Sequence, residues 1–87
     1  MRNPDDVVER IASDIQQWLT RHPDAADTVE GIRDYWLSEA TGEQPSELVL
    51  AALERLAERG IVREERQRQG RPSIYSREKR AQKRKDS

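Results

Sequence analysis

Three stretches whose apolar residues recur every three or four positions, followed by two short apolar runs flanking a Gly-Arg-Pro turn, leave this chain few ways to fold. In the first, Val7, Val8, Ile11, Ile15, Trp18 and Leu19 share one side while Asp6, Arg10, Asp14 and Gln17 take the other, the periodicity of an amphipathic helix over residues 4–21. Pro4 suits a first helical turn, and Asp5, Asp6 and Glu9 favour its positive end. His22-Pro23 stops the helix, because a residue before proline is driven out of the helical region. Residues 24–27 read as a short connection or a single short strand.

Asp27-x-x-Glu30 has the spacing of an acidic capping box and predicts a second helix over residues 28–38, with Val29, Ile32 and Trp36 on one face and Leu37 beside them. Gly31 inside it costs about 1 kcal/mol of helix propensity and is expected to permit close helix packing. Thr41-Gly42-Glu43-Gln44-Pro45 reads as a turn. Ser46 is placed to cap a third helix over residues 47–59, and Gly60 to end it in the left-handed conformation. On that helix the wheel puts Val49, Leu50, Leu53, Leu56 and Ala57 inward and Glu47, Leu48, Ala51, Arg55 and Glu58 outward. Residues 61–65 and 73–76 then read as two short strands. The polar loop between them, with Gly70 at its tip, makes the pair a hairpin. A two-stranded ribbon is marginal alone, so Ile61 and Ile74 or Tyr75 are expected to lean on the helices.

With 87 residues, 33% of them hydrophobic and none of them Phe, one small core is all the chain can bury, which predicts a single domain over residues 1–76. The absence of cysteine excludes disulfides, thiolate nucleophiles and cysteine metal sites. No run approaches the roughly 18 apolar residues of a membrane span. The opening Met-Arg-Asn-Pro-Asp-Asp lacks an apolar signal-peptide core, so the expected compartment is the cytoplasm.

A net charge of -1 hides two opposed halves. Residues 1–58 carry 5 Lys+Arg against 13 Asp+Glu, whereas residues 59–87 carry 11 against 4. A basic block attracts phosphate backbones by charge neutralisation and counterion release, while an acidic half repels them and suits a basic protein partner. Residues 77–87, which include Arg77, Lys79 and Arg80, offer almost nothing to pack and are expected to form a basic, disordered tail.

Three helices and a hairpin, with Leu53-x-x-Leu56-x-x-x-Gly60-Ile61-Val62 leading into Gly70-Arg71-Pro72-x-x-Tyr75, resemble the winged helix-turn-helix domains of bacterial transcription regulators. The resemblance implies a mainly α fold in which the third helix enters the DNA major groove and the hairpin wing lies against the backbone or minor groove. Arg71 would be the wing-tip arginine, with Arg66 and Arg68 beside it and Arg63 on the strand below. Gly70-Arg71-Pro72 is also similar to the core of minor-groove hooks, although Gln69 stands where a full hook has a second arginine. The chain departs from the family at the start of helix three, where Glu47, Leu48 and Ala51 offer little that reads base edges. Arg55 and Arg59 lie further along it, within expected reach of a phosphate.

Two expectations follow. The first is a small, regulatory or accessory protein that binds double-stranded DNA through Arg55, Arg59, Arg63, Arg66, Arg68 and Arg71, with Arg77, Lys79 and Arg80 adding nonspecific attraction. The rival is a protein-interaction module in which the acidic helices, or an apolar patch of Leu48, Ala51 and Ala52 beside Glu47, dock a protein partner or a second copy. Trp18 and Trp36 fall in register with apolar stripes and are expected in the core; Tyr35 is not placed by its register. His22 has no companion at metal-ligand spacing. No phosphate loop, nucleophile elbow or His-Glu-x-x-His pair occurs, so no catalytic residue, metal or cofactor is expected.

Overall fold

Asn3 caps the first helix. In a computed structural model of the protein, which describes residues 3–78, α1 spans Pro4–Arg21, and the Asn3 side-chain oxygen accepts the Asp5 N–H at 3.0 Å. After a turn, β1 covers Ala26–Asp27, α2 Val29–Tyr35, α3 Ser46–Glu58, β2 Val62–Glu65 and β3 Ile74–Arg77. The expected tail positions Lys79 and Arg80 lie outside the described residues. The strands form one antiparallel sheet in the order β1-β3-β2. The ladder runs slightly past the expected domain boundary, with the Glu78 N–H donating to the Ile61 carbonyl at 2.9 Å.

The core fills the space between the helices and the inner face of the sheet. Val8, Ile11, Ala12, Ile15 and Leu19 of α1 meet Ile32 and Trp36, then Val49, Ala52, Leu53 and Leu56 of α3, with Val62 and Tyr75 closing the sheet side. Each Val, Leu or Ile among them removed from water contributes about 1.5–3 kcal/mol. Trp36 is buried and Trp18 partly so; their rings stack at 5.9 Å, and the His22 ring lies 4.4 Å from that of Trp18. Tyr35 points outward, 72% exposed.

Helix α2 is shorter than expected and differently capped. Thr28, not Asp27, occupies its N-cap and accepts the Gly31 N–H at 3.2 Å, while the Asp27 carboxylate accepts the neighbouring Thr28 N–H at 2.8 Å. Gly31 makes room for that carboxylate rather than for a neighbouring helix, since a Cβ there would overlap the Asp27 side chain. The helix ends at Tyr35 instead of continuing to residue 38. Asp14 of α1 explains why: its Oδ2 accepts the Ser38 N–H and hydroxyl at 3.0 Å each and the hydroxyl of Thr41. Side-chain acceptors of this kind compete with the backbone ladder and hold the segment in a turn, where the Thr41 and Gly42 N–H groups both donate to the Ser38 carbonyl.

Helix α3 also departs from expectation. Its N-cap is Pro45 with no side-chain cap, and the Ser46 hydroxyl instead accepts a hydrogen bond from Arg33 Nη1 at 2.9 Å, linking α2 to α3. The helix is turned so that Ala52 faces the core while Leu50, 37% exposed, and Ala57 face solvent. Leu48 and Ala51, expected as an outward patch, are partly buried against the core. A helix wheel weights large apolar residues, but here the small Ala52 is fully buried in the core. At the other end the expectation holds: Gly60 has φ +76°, its N–H reaches the Ala57 carbonyl at 3.0 Å, and the Ile61 N–H reaches that of Leu56 at 2.8 Å. This pair of hydrogen bonds closes the helix as a Schellman motif.

Candidate nucleic-acid interface

The β2–β3 hairpin gathers most of the described positive charge that no carboxylate answers. Pairing of Val62 with Arg77, Arg63 with Ser76, Glu64 with Tyr75 and Glu65 with Ile74 fixes its two faces, because side chains alternate along a strand. Val62 and Tyr75 turn inward and are buried, whereas exposed Arg63 and Glu65 share the outer face with Ile74 and Ser76. Burial, and then the nearby Glu64 carboxylate, raise the Tyr75 hydroxyl above its ordinary pKa, so it stays a neutral phenol.

Beyond β2 the loop closes through a tight turn at its tip. The Arg71 N–H donates to the Arg68 carbonyl at 3.3 Å, and the two residues between them, Gln69 and Gly70, have φ +46° and +74°. Positive φ at both central positions is the signature of a type I′ turn, whose twist matches that of a hairpin. Two side-chain bonds brace the loop: Gln67 Nε2 to the Pro72 carbonyl at 2.9 Å, and the Ser73 hydroxyl to Glu64 Oε2 at 2.6 Å.

The braced loop shapes an open concavity of about 700 Å³, lined by Arg66, Arg68, Arg71, Gln67, Glu65 and Ile74. Three guanidiniums face one carboxylate there. Among the described residues Arg66 has only a distant partner, Glu64 at 3.8 Å, an exposed pairing of little worth. Arg63, Arg68 and Arg71 have no carboxylate partner within 4.0 Å among the described residues. Arg77 is elsewhere, at the base of the hairpin, where it lines a separate hollow with Gln16, Leu19, Thr20 and Ile61.

The α3 arginines are not part of this surface. Arg55 donates to Glu9 at 2.7 Å and to Asp5 at 2.5 Å, and Arg59 donates to Glu9 at 2.8 Å. Both guanidiniums are thus committed to α1. Glu9 is held below its ordinary pKa by Arg59 and then Arg55, and Arg55 is raised above its own by Asp5 and then Glu9. The stripe of α3 that does face solvent consists of Glu47, Leu50, Glu54, Ala57 and Glu58, which presents carboxylates and no cation.

Sequence reasoning placed Arg63, Arg66, Arg68 and Arg71 on the hairpin, where they lie, but missed the ion pairs of Arg55 and Arg59. One signal was available: Asp5 and Glu9 on α1, like Arg55 on α3 and Arg59 at its C-cap, are spaced four apart, so each pair lies on a single helix face. A scan against protein-family models and searches of curated proteins and solved structures find no match to this chain. Among the described residues no helix is long and apolar enough to cross a membrane.

Proposed function

We propose that the domain is a winged helix that binds double-stranded DNA through its hairpin, as a small regulatory or accessory factor of bacterial type. One observation carries this reading: Arg66, Arg68 and Arg71 surround one concavity at the hairpin tip, and the latter two have no carboxylate partner among the described residues. Like charges held together in a braced loop raise the local potential, and a polyanion lowers it while releasing its own counterions. A narrow, A·T-rich minor groove is the most favourable site for such a tip, since its negative potential is enhanced. Arg63, on the outer face below, is suited to the flanking backbone.

In this reading α3 does not enter the major groove. Its exposed stripe would set Glu47, Glu54 and Glu58 against phosphates, an arrangement that costs energy and reads few bases. The hairpin therefore positions the protein on DNA with little direct base readout. Lys79 and Arg80, outside the described residues, add nonspecific attraction. The reading involves no catalytic step and no cofactor, and takes the cytoplasm as the setting.

Fluorescence anisotropy with a labelled mixed-sequence duplex at several salt concentrations tests it. The double variant Arg68→Ala, Arg71→Ala is expected to weaken binding and to reduce the slope of log affinity against log salt by about 2. Arg55→Ala is expected to leave both unchanged. Absence of wild-type binding at low salt, or a double variant with unaltered slope, overturns the reading.

A further inference from the structure

The end of α2, the loop after it and the start of α3 enclose an open cleft of about 690 Å³, whose lining includes Asp34, Leu37, Glu39, Glu43 and Pro45. Among the described residues it shares no lining residue with the hairpin concavity. We propose that this cleft docks a basic, Lys/Arg-bearing segment of a protein partner. The inference stands apart from the DNA reading and survives its failure.

Three features converge on that occupant. First, the walls are held before any partner arrives. Asp14 ties down Ser38 and Thr41, Gln44 Nε2 donates to the Thr41 carbonyl at 2.9 Å, and Arg33 bridges to Ser46 at 2.9 Å. A preformed wall spares the ordering cost that weakens association.

Second, the charge is one-sided. Among the described residues Arg33 is the only cation lining the cleft, and its guanidinium is already engaged by Asp34 at 3.0 Å as well as by Ser46. Asp34, and more weakly Glu30 and Glu43, raise its pKa, so it stays charged and held by Asp34 and Ser46. Glu39 and Glu43 remain without an ion-pair partner among the described residues. A nucleic acid is repelled by such a rim, and a cationic side chain is drawn to it.

Third, the cleft offers apolar surface beside the carboxylates. Leu37 and Pro45 are part of its lining, and the methylene stem of Lys or Arg packs on such surface while its charged head reaches a carboxylate. Tyr35, 72% exposed at the same end of α2, is the type of side chain that anchors interfaces.

The test is an NMR titration of the full chain, labelled with ¹⁵N, using a decalysine peptide as probe. Saturable shifts are expected at the amides of residues 33–44, with affinity reduced about fivefold in the double variant Glu39→Gln, Glu43→Gln, the effect of losing two exposed ion pairs. The control Glu54→Gln, Glu58→Gln removes the same charge from α3 and is expected to keep wild-type affinity. Shifts spread evenly over the acidic surface, or equal weakening by both double variants, would reduce the effect to bulk charge and overturn the proposal. Concentration-dependent shifts at these amides without peptide would assign the cleft to a second copy and overturn it equally.

Discussion

Glu9 carries the tie between α1 and α3, because the guanidiniums of Arg59 and Arg55 both donate to its Oε2. That arrangement depresses its folded pKa below the ordinary glutamate value, so the carboxylate's contribution to stability is fully present above about pH 4.3, the unfolded value. The contribution is lost as pH falls through the lower folded value. Glu9→Gln is therefore expected to melt below wild type at pH 7, with the gap closing as the buffer is taken well under pH 4. Circular dichroism melts of both proteins at the two ends of that range check it; a gap that persists in acid would mean that packing, not charge, is what the glutamate supplies. The same ties pair Arg55 and Arg59 with Glu9, a residue 46 and 50 positions away in sequence, through the contact of the third helix and its end with the first.

At the scale of elements, what could be read from the sequence depended on whether the deciding interaction was local. Helix α1 was legible to its ends because Pro4 and His22-Pro23 act within their own turns. The Schellman close of α3 was legible too, since only a residue at ease with positive φ serves at Gly60. Helix α2 was overestimated because its stop comes from Asp14, on another helix. The facing of α3 was misjudged because hydrophobicity does not distinguish a small buried Ala52 from an exposed Leu50. The candidate site followed the same rule: the Gly-Arg-Pro turn announces itself, and the pairing of Arg55 across the fold does not. Gly60 also supports an element-scale prediction. A Cβ there meets no atom within 4 Å, so Gly60→Ala is penalised by backbone conformation alone, about 1–2 kcal/mol. Urea denaturation is expected to show that loss for Ala and a smaller one for Asn, which tolerates the left-handed region better. Equal losses would point instead to a steric role.

Across the whole molecule the described charges divide between a hairpin whose tip is cationic and helices whose exposed faces are largely acidic. On the DNA reading, these two surfaces impose a geometry on the complex. The hairpin must approach phosphates while the stripe of Glu47, Glu54 and Glu58 stays back, and how far back is measurable through screening. At about 0.15 M salt the Debye length is about 8 Å, and at about 0.01 M it is about 30 Å. A stripe held more than 8 Å from the duplex has little influence in the first condition and repels in the second. Glu47→Gln combined with Glu54→Gln is therefore expected to leave DNA affinity unchanged at the higher salt and to raise it at the lower. Gains of the same size at both salts would place α3 within a Debye length of the phosphates, bring the third helix back toward the groove, and remove the hairpin-only mode of contact.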